Sequence, residues 1–234
     1  MDFATWEPVY EAILADFGYD RAADERARDL LAELVRSSHG DPYQPVPDAV
    51  AGATVAIAAP GPSLGEDATL IEEADVVVAA STAATHLQES GFDLDFVVTD
   101  LDKHAETVRE LTEAGVPVAV HAHGDNVPAI RQYVPTLDVE YVLPTTQAAP
   151  TGLVRNFGGF TDGDRAAFLA DHLGAKRLVF PGWDFEDETV GTEKRRKLAW
   201  AERLLFWLER RRGEHFNVLA GRRTHIEMAL FPDA

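Results

Sequence analysis

The chain has 234 residues, 46% of them hydrophobic, enough for one large domain or one domain with a small appendage. Asp and Glu total 40 against 21 Lys and Arg, a formal net charge of −19 that excludes a general nucleic-acid binder or a protein held on anionic membrane by charge. There is no cysteine, which excludes disulfides, thiolate metal sites and cysteine nucleophiles.

Phe3, Trp6, Tyr10, Ile13, Leu14 and Phe17 follow helical spacing, and Gly18 ends the run. The Ala-, Glu-, Arg- and Leu-rich stretch 21–36 predicts a second helix. Gly40, Pro42, Pro45 and Pro47 make 39–47 a loop. Residues 1–48 are thus expected to form an N-terminal helical appendage, and 49–234 an α/β catalytic domain. The aromatic face of the first helix suits either core packing or a subunit interface in a homo-oligomer.

From residue 53 short β-branched runs alternate with helical stretches. The runs 54–58, 76–80, 96–99, 116–120, 139–143 and 177–180 predict strands, with helices at 82–90, 103–114, 127–133 and 164–172. Continuous apolar strands between helices predict a Rossmann-like α/β fold, a mostly parallel sheet with helices on both faces. A long helix at about 193–212 precedes a C-terminal segment expected to be an edge strand or hairpin.

The amino terminus lacks the basic-then-apolar build of a signal peptide, and no apolar run approaches the roughly 18 residues of a membrane span. A cytoplasmic protein is expected. The basic residues are 17 Arg and only 4 Lys. A carboxylate-rich, lysine-poor surface suits a halophilic source, since salt screens self-repulsion within about 3 Å at 1 M and high net charge maintains solubility. Most carboxylates are then solvated surface, and only local context gives one a role.

Open α/β sheets bind ligands beyond the carboxyl ends of their strands. Four of the predicted strands end in Gly or acidic groups: Pro60-Gly61-Pro62-Ser63, Thr99-Asp100-Leu101-Asp102, His121-Ala122-His123-Gly124-Asp125 and Pro181-Gly182-Trp183-Asp184. Asp100 and Asp102, two apart, share a side if extended, about 6.5–7 Å apart along the chain. With no base between them they suit Mg²⁺, which takes one or two carboxylates plus substrate phosphates; a helix-capping pair is the plainer account. His121, His123 and Asp125 read as a transition-metal set, or as Asp125 joining the carboxylates with hydrogen-bonded histidines beside it. Gly61-Pro62-Ser63 is no Walker loop, yet its backbone could hold phosphate. In the stretch from Asn156 to Arg165, Gly158, Gly159 and Gly163 beside Phe157 and Phe160 suggest close approach to a flat ligand, with Asp162 and Asp164 also serving as caps. Lys194-Arg195-Arg196-Lys197 is a candidate triphosphate contact, or simply a solvated basic turn.

Taken in order, Gly61-Pro62-Ser63-Leu64, Thr99-Asp100-Leu101-Asp102, His123-Gly124-Asp125-Asn126, Gly159 to Ala166 and Lys194 to Leu198 resemble the archaeal 6-hydroxymethyl-7,8-dihydropterin pyrophosphokinases, the MptE-like group, over roughly residues 50–210. The resemblance implies a catalytic domain like that of thiamin pyrophosphokinases and transfer of the terminal diphosphate of ATP to the pterin hydroxymethyl group, releasing AMP. It implies Mg²⁺ on Asp100, Asp102 and Asp125. Lys194, with Arg195 or Lys197, would steady the phosphates, and Gly61, Pro62 and Ser63 would lie against the nucleotide. Asp162 or Asp164 would orient substrate or metal, and Asn156, Phe157, Trp183 and Asp184 would form the pterin slot. A nucleotide-sugar glycosyltransferase of the same superfamily, a metal-dependent hydrolase and a nucleotide-sensing module are the competing readings.

Overall fold

The computed structural model describes residues 1–36 and 49–232. The predicted loop 39–47 lies outside the described residues. Helix α1 (Phe3–Phe17) starts where Asp2 accepts the Thr5 N–H and stops at Gly18 in left-handed backbone; α2 (Arg21–Leu34) starts where Asp20 accepts the Ala22 N–H. There follow β1 (Thr54–Ala58), α3 (Ala68–Glu72), β2 (Val76–Ala80), α4 (Ala83–Glu89), β3 (Phe96–Thr99), α5 (Ala105–Glu113), β4 (Val118–Ala122), α6 (Val127–Tyr133), β5 (Val142–Thr146), α7 (Asp162–His172), β6 (Arg177–Val179) and α8 (Thr192–Arg212).

The six strands form one parallel sheet in the order β5-β4-β3-β2-β1-β6. The chain steps outward from β1 to β5, and α3 to α6 cover one face with Ile71, Leu87, Leu111 and Ile130. It returns over the other face through α7, bringing β6 beside β1, and that face is filled by α1, α7 and α8. Right-handed crossovers require this division. The strand order reverses between β1 and β6, which opens a crevice beyond their carboxyl ends.

Trp6, Tyr10, Ile13 and Leu14 of α1 are buried in the chain's own core with Phe168 and Trp207, so its aromatic face is core packing. Ala27 and Leu31 of α2 enter the opposite core. The two N-terminal helices therefore grip the sheet from both sides.

Three strands match their predicted bounds, the last ends one residue early at Val179, and two are displaced. At 116–120 the strand begins later, because the Val116 N–H returns to Leu111 O to close α5. At 139–143 a 3-10 turn at Val139–Tyr141, capped by Asp138, takes the first residues. Both strands run on through polar His121, Thr145 and Thr146, which hydrophobicity alone does not mark. The predicted C-terminal strand or hairpin is not formed: 3-10 turns occupy Asn217–Leu219 and Arg223–His225, where Arg223 ties the segment to Glu209 of α8.

The loops after β1 and β6 lie against each other through two glycines. Gly61 N–H donates to Gly182 O at 2.9 Å, and a Cβ on Gly182, in left-handed backbone, would overlap Ala59 O. Gly182→Ala is therefore expected to cost at least about 2 kcal/mol in denaturant unfolding. An unchanged midpoint would show that these loops separate freely.

Candidate active site

A cleft of about 570 Å³ opens at the carboxyl edge of the sheet, a size that fits a small-molecule ligand. The ends of β1, β2, β3, β4 and β6 line it, together with Tyr19 and the first turns of α7 and α8.

Asp100 follows β3. Its Oδ2 lies 3.2 Å from His123 Nε2, and its Oδ1 accepts the Asp102 N–H at 3.1 Å. The Asp125 N–H points at His123 Nδ1, so Nδ1 accepts and Nε2 donates to Asp100. Asn126 donates to Asp100 O at 2.8 Å and His121 O at 2.6 Å, tying the ends of β3 and β4 together. The backbone between the two aspartates is not extended as the spacing argument assumed. Leu101 adopts φ 64° and is buried, which turns Asp102 back toward Asp100. Ser81, just after β2, and His104, just before α5, are left-handed as well. Strained non-glycine backbone of this kind gathers at functional sites.

Arg165 of α7 lies beneath the acids. It donates to Asp162 Oδ1 at 2.9 Å and to Gln147 Oε1 at 3.2 Å, and its side chain is only 8% exposed. Burial raises the Asp100 carboxyl, but the His123 hydrogen bond and the Arg165 charge outweigh it and hold Asp100 well below the usual carboxylate range. Burial and the Asp100 charge push Asp102 up. The same two causes, burial first, raise Asp162 to about 7 against the pull of Arg165. The cleft thus carries crowded negative charge that one guanidinium does not balance.

A proton-favouring Asp162 has a sign that can be checked. Its folded value of about 7 lies above its ordinary 3.8, so the stability it contributes is full below pH 3.8 and is lost as pH rises toward 7. Asp162→Asn removes that titration. The variant is expected to gain stability relative to the parent between pH 4 and 7, by up to about 1.4 kcal/mol per pH unit, in metal-free urea unfolding. A pH-independent difference would show that Asp162 ionises normally.

On the opposite wall α8 starts at Gly191 with no side-chain cap, and Gly191, Lys194 and Lys197 line the cleft. Open backbone N–H groups, the positive helix end and two ammonium groups make this wall suited to anions. Tyr19 joins the walls, its hydroxyl donating to Glu193 at 3.1 Å.

The 29–189 segment matches the family model described as 6-hydroxymethylpterin diphosphokinase MptE-like. The chain belongs to this family. It is 40% identical over 227 residues to a protein of Methanothermobacter thermautotrophicus, covering 90% of this chain and 96% of the relative. It is 37% identical over 223 residues to one of Pyrococcus furiosus (89% and 95% covered) and 33% identical over 232 residues to one of Methanocaldococcus jannaschii (89% and 96%). All three are named 6-hydroxymethyl-7,8-dihydropterin pyrophosphokinase.

The sequence-predicted residues divide within this MptE-like cleft. Asp100, Asp102, Asp125, Asp162 and Lys194 line it, as do Gly61, Lys197, Trp183 and Asp184. Pro62 faces a neighbouring groove instead. Ser63 is engaged internally, its Oγ donating to Asp67 and its N–H to Asp184. With the Gly61 and Leu64 N–H groups also bonded to backbone, this turn offers no phosphate cradle of the kind expected. Asp164 is fully buried and caps α7 by accepting from Thr161 and Phe160. Asn156 bonds Ala148 O and the Gly158 N–H, and Phe157 packs on His172, both outside the cleft lining. Arg195 is exposed and outside the lining too, while its neighbour Arg196 bonds Asp16. His121 is buried against Thr145, and no three His, Asp or Glu side chains converge as a closed metal cage among the described residues. Arg165, Gln147 and Asn126 escaped the sequence reading. Only the position of Arg165 on the inner face of a helix opened by Asp162 could have signalled it.

Proposed function

We propose that this protein is a 6-hydroxymethyl-7,8-dihydropterin pyrophosphokinase that takes its diphosphate from ATP, requires Mg²⁺ and releases AMP. The observation that carries the reading is the opposition, across one cleft, of the Asp100–Asp102 pair and the cationic start of α8. The names of three near-full-length relatives support the same reaction.

Asp100 and Asp102 fit magnesium as adjacent hard oxygen donors, burial and the charge of Asp100 pushing Asp102 up despite Lys103 and His123 nearby. The lack of a closed cage agrees with that fit, because Mg²⁺ usually completes its shell with phosphate oxygens and water. Asp125 lines the same cleft but does not join the pair as a third ligand among the described residues. When bound, Mg²⁺ supplies charge neutralisation for the triphosphate. His123 and Asn126 keep Asp100 oriented and ionised for that task. Lys194, Lys197 and the start of α8 hold the phosphates. Trp183, locked by its Nε1–H bond to Ile57 O, walls a slot for the flat pterin, and Asp184 accepts from the amino-pyrimidine edge. The pterin hydroxyl oxygen then bonds to the β-phosphorus. The bond from that phosphorus to the α,β-bridging oxygen breaks, AMP leaves with the oxygen, and the hydroxyl proton passes to water. No side chain need act as a strong base, since positioning and charge stabilisation dominate such transfers.

The test is AMP formation from ATP, Mg²⁺ and 6-hydroxymethyl-7,8-dihydropterin, run at low salt and in molar KCl because of the −19 charge. Pterin-dependent AMP is expected. Folded protein that forms none at either salt rejects the reading, and pterin-independent ATP cleavage replaces it with a hydrolase.

A further inference from the structure

Apart from the helix cap Asp164, nearly every carboxylate among the described residues meets solvent or a guanidinium. Asp24, on α2, does neither: it is 3% exposed and its partners are all neutral. Its Oδ2 accepts from the Tyr10 hydroxyl at 2.7 Å and from Gln147 Nε2 at 2.8 Å, and its Oδ1 accepts the Gly124 N–H at 2.7 Å. A buried charge without a counter-ion is costly and persists only where fixed dipoles replace its hydration. These dipoles come from α1, from the turn after β4 and from the segment after β5.

Both of the latter lead to the cleft. Gly124 separates His123, which holds Asp100, from Asp125, and α2 lies so close that a Cβ on Gly124 would meet the Ala23 Cβ at 2.6 Å. Gln147 receives Arg165 on its Oε1 while its Nε2 faces Asp24. The charges at its two ends fix that amide in one orientation. One chain of bonds therefore runs Asp24, Gln147, Arg165, Asp162, and another runs Asp24, Gly124, His123, Asp100.

We propose that Asp24 is a positioning residue of the active site, which through Gln147 sets Arg165 and through Gly124 sets the His123–Asp125 turn, so that the N-terminal helices help build the catalytic acidic cluster. Its effect on turnover rests on the pyrophosphokinase reading; its effect on Arg165 does not.

Asp24→Asn presents an amide N–H₂ to the N–H₂ of Gln147. If Gln147 turns over, its N–H₂ then meets the Arg165 guanidinium. If the new amide turns the other way, its N–H₂ meets the Gly124 N–H and displaces the His123–Asp125 turn instead of Arg165; in each case kcat is expected to fall about 100-fold at temperatures where the variant is fully folded. Gln147→Glu alone opposes two carboxylates and is expected to fall similarly. Together, Asp24→Asn and Gln147→Glu restore donor to acceptor along the whole chain, and kcat is expected to recover at least tenfold over either single variant, an interaction that independent sites do not show. The Arg165 Nε–H resonance, read by NMR without substrate, is expected to shift in Gln147→Glu and return in the pair. If the pair is no better than the worse single variant and the resonance never moves, the proposal is overturned. If the parent makes no AMP while the resonance shifts and returns, the pyrophosphokinase reading fails and the positioning role stands.

Discussion

Asp100→Asn is expected to lower kcat for pterin-dependent AMP formation by about 1,000-fold, the scale of losing a main electrostatic element of a charge-stabilising site. The fold is expected to survive. Asparagine keeps the volume and one acceptor, which serves either the His123 or the Asp102 bond. Removing the Asp100 charge also relieves Asp102 and Asp162, both of which it pushes up. Unfolding stability is therefore expected to change by no more than about 1 kcal/mol. Turnover within tenfold of the parent removes Asp100 from the metal site, and collapse of the circular-dichroism spectrum shows that its role is structural.

The second large effect belongs to Arg165→Lys. Lysine keeps the charge but not the planar fork that reaches Asp162 and Gln147 at once. One ammonium cannot serve both, so a buried acceptor is left without its bond, and a stability loss of about 2 kcal/mol is expected, with kcat down about 100-fold from displaced acids. Thermal unfolding and AMP assays on one preparation separate the two losses. A stable, active lysine variant would reduce Arg165 to a generic counter-charge.

The sheet was legible because its strands are unbroken β-branched runs, as at Val76–Ala80 and Phe96–Thr99, with punctuation at both ends. The acidic edge was legible because Asp100, Asp102 and Asp125 follow such runs directly. What the sequence hid were contacts across long separations. Nothing near Arg165 announces Gln147, 18 residues earlier, as its partner beneath the cleft. The short α3 has too few residues for a visible period, and Ser63 looked available because Asp67 and Asp184 reach it only in the folded chain. Asn156 and Phe157 sit among glycines suited to a ligand, but those glycines let the backbone pass close to Trp6 and Phe168.

The grip of α1 on the finished sheet has a consequence for how the chain is made. Trp6 donates to Gln147 O, 141 residues later, and Asp16 accepts from Trp200, 184 residues later. During synthesis α1 emerges well before these partners, and its aromatic stripe stays uncovered until α8 has followed. Such distant pairings close slowly, and exposed apolar surface invites aggregation meanwhile. Helix α1 is thus among the last elements to settle, and nascent chains that stop short of Trp200 should depend on dilution or chaperones to remain productive.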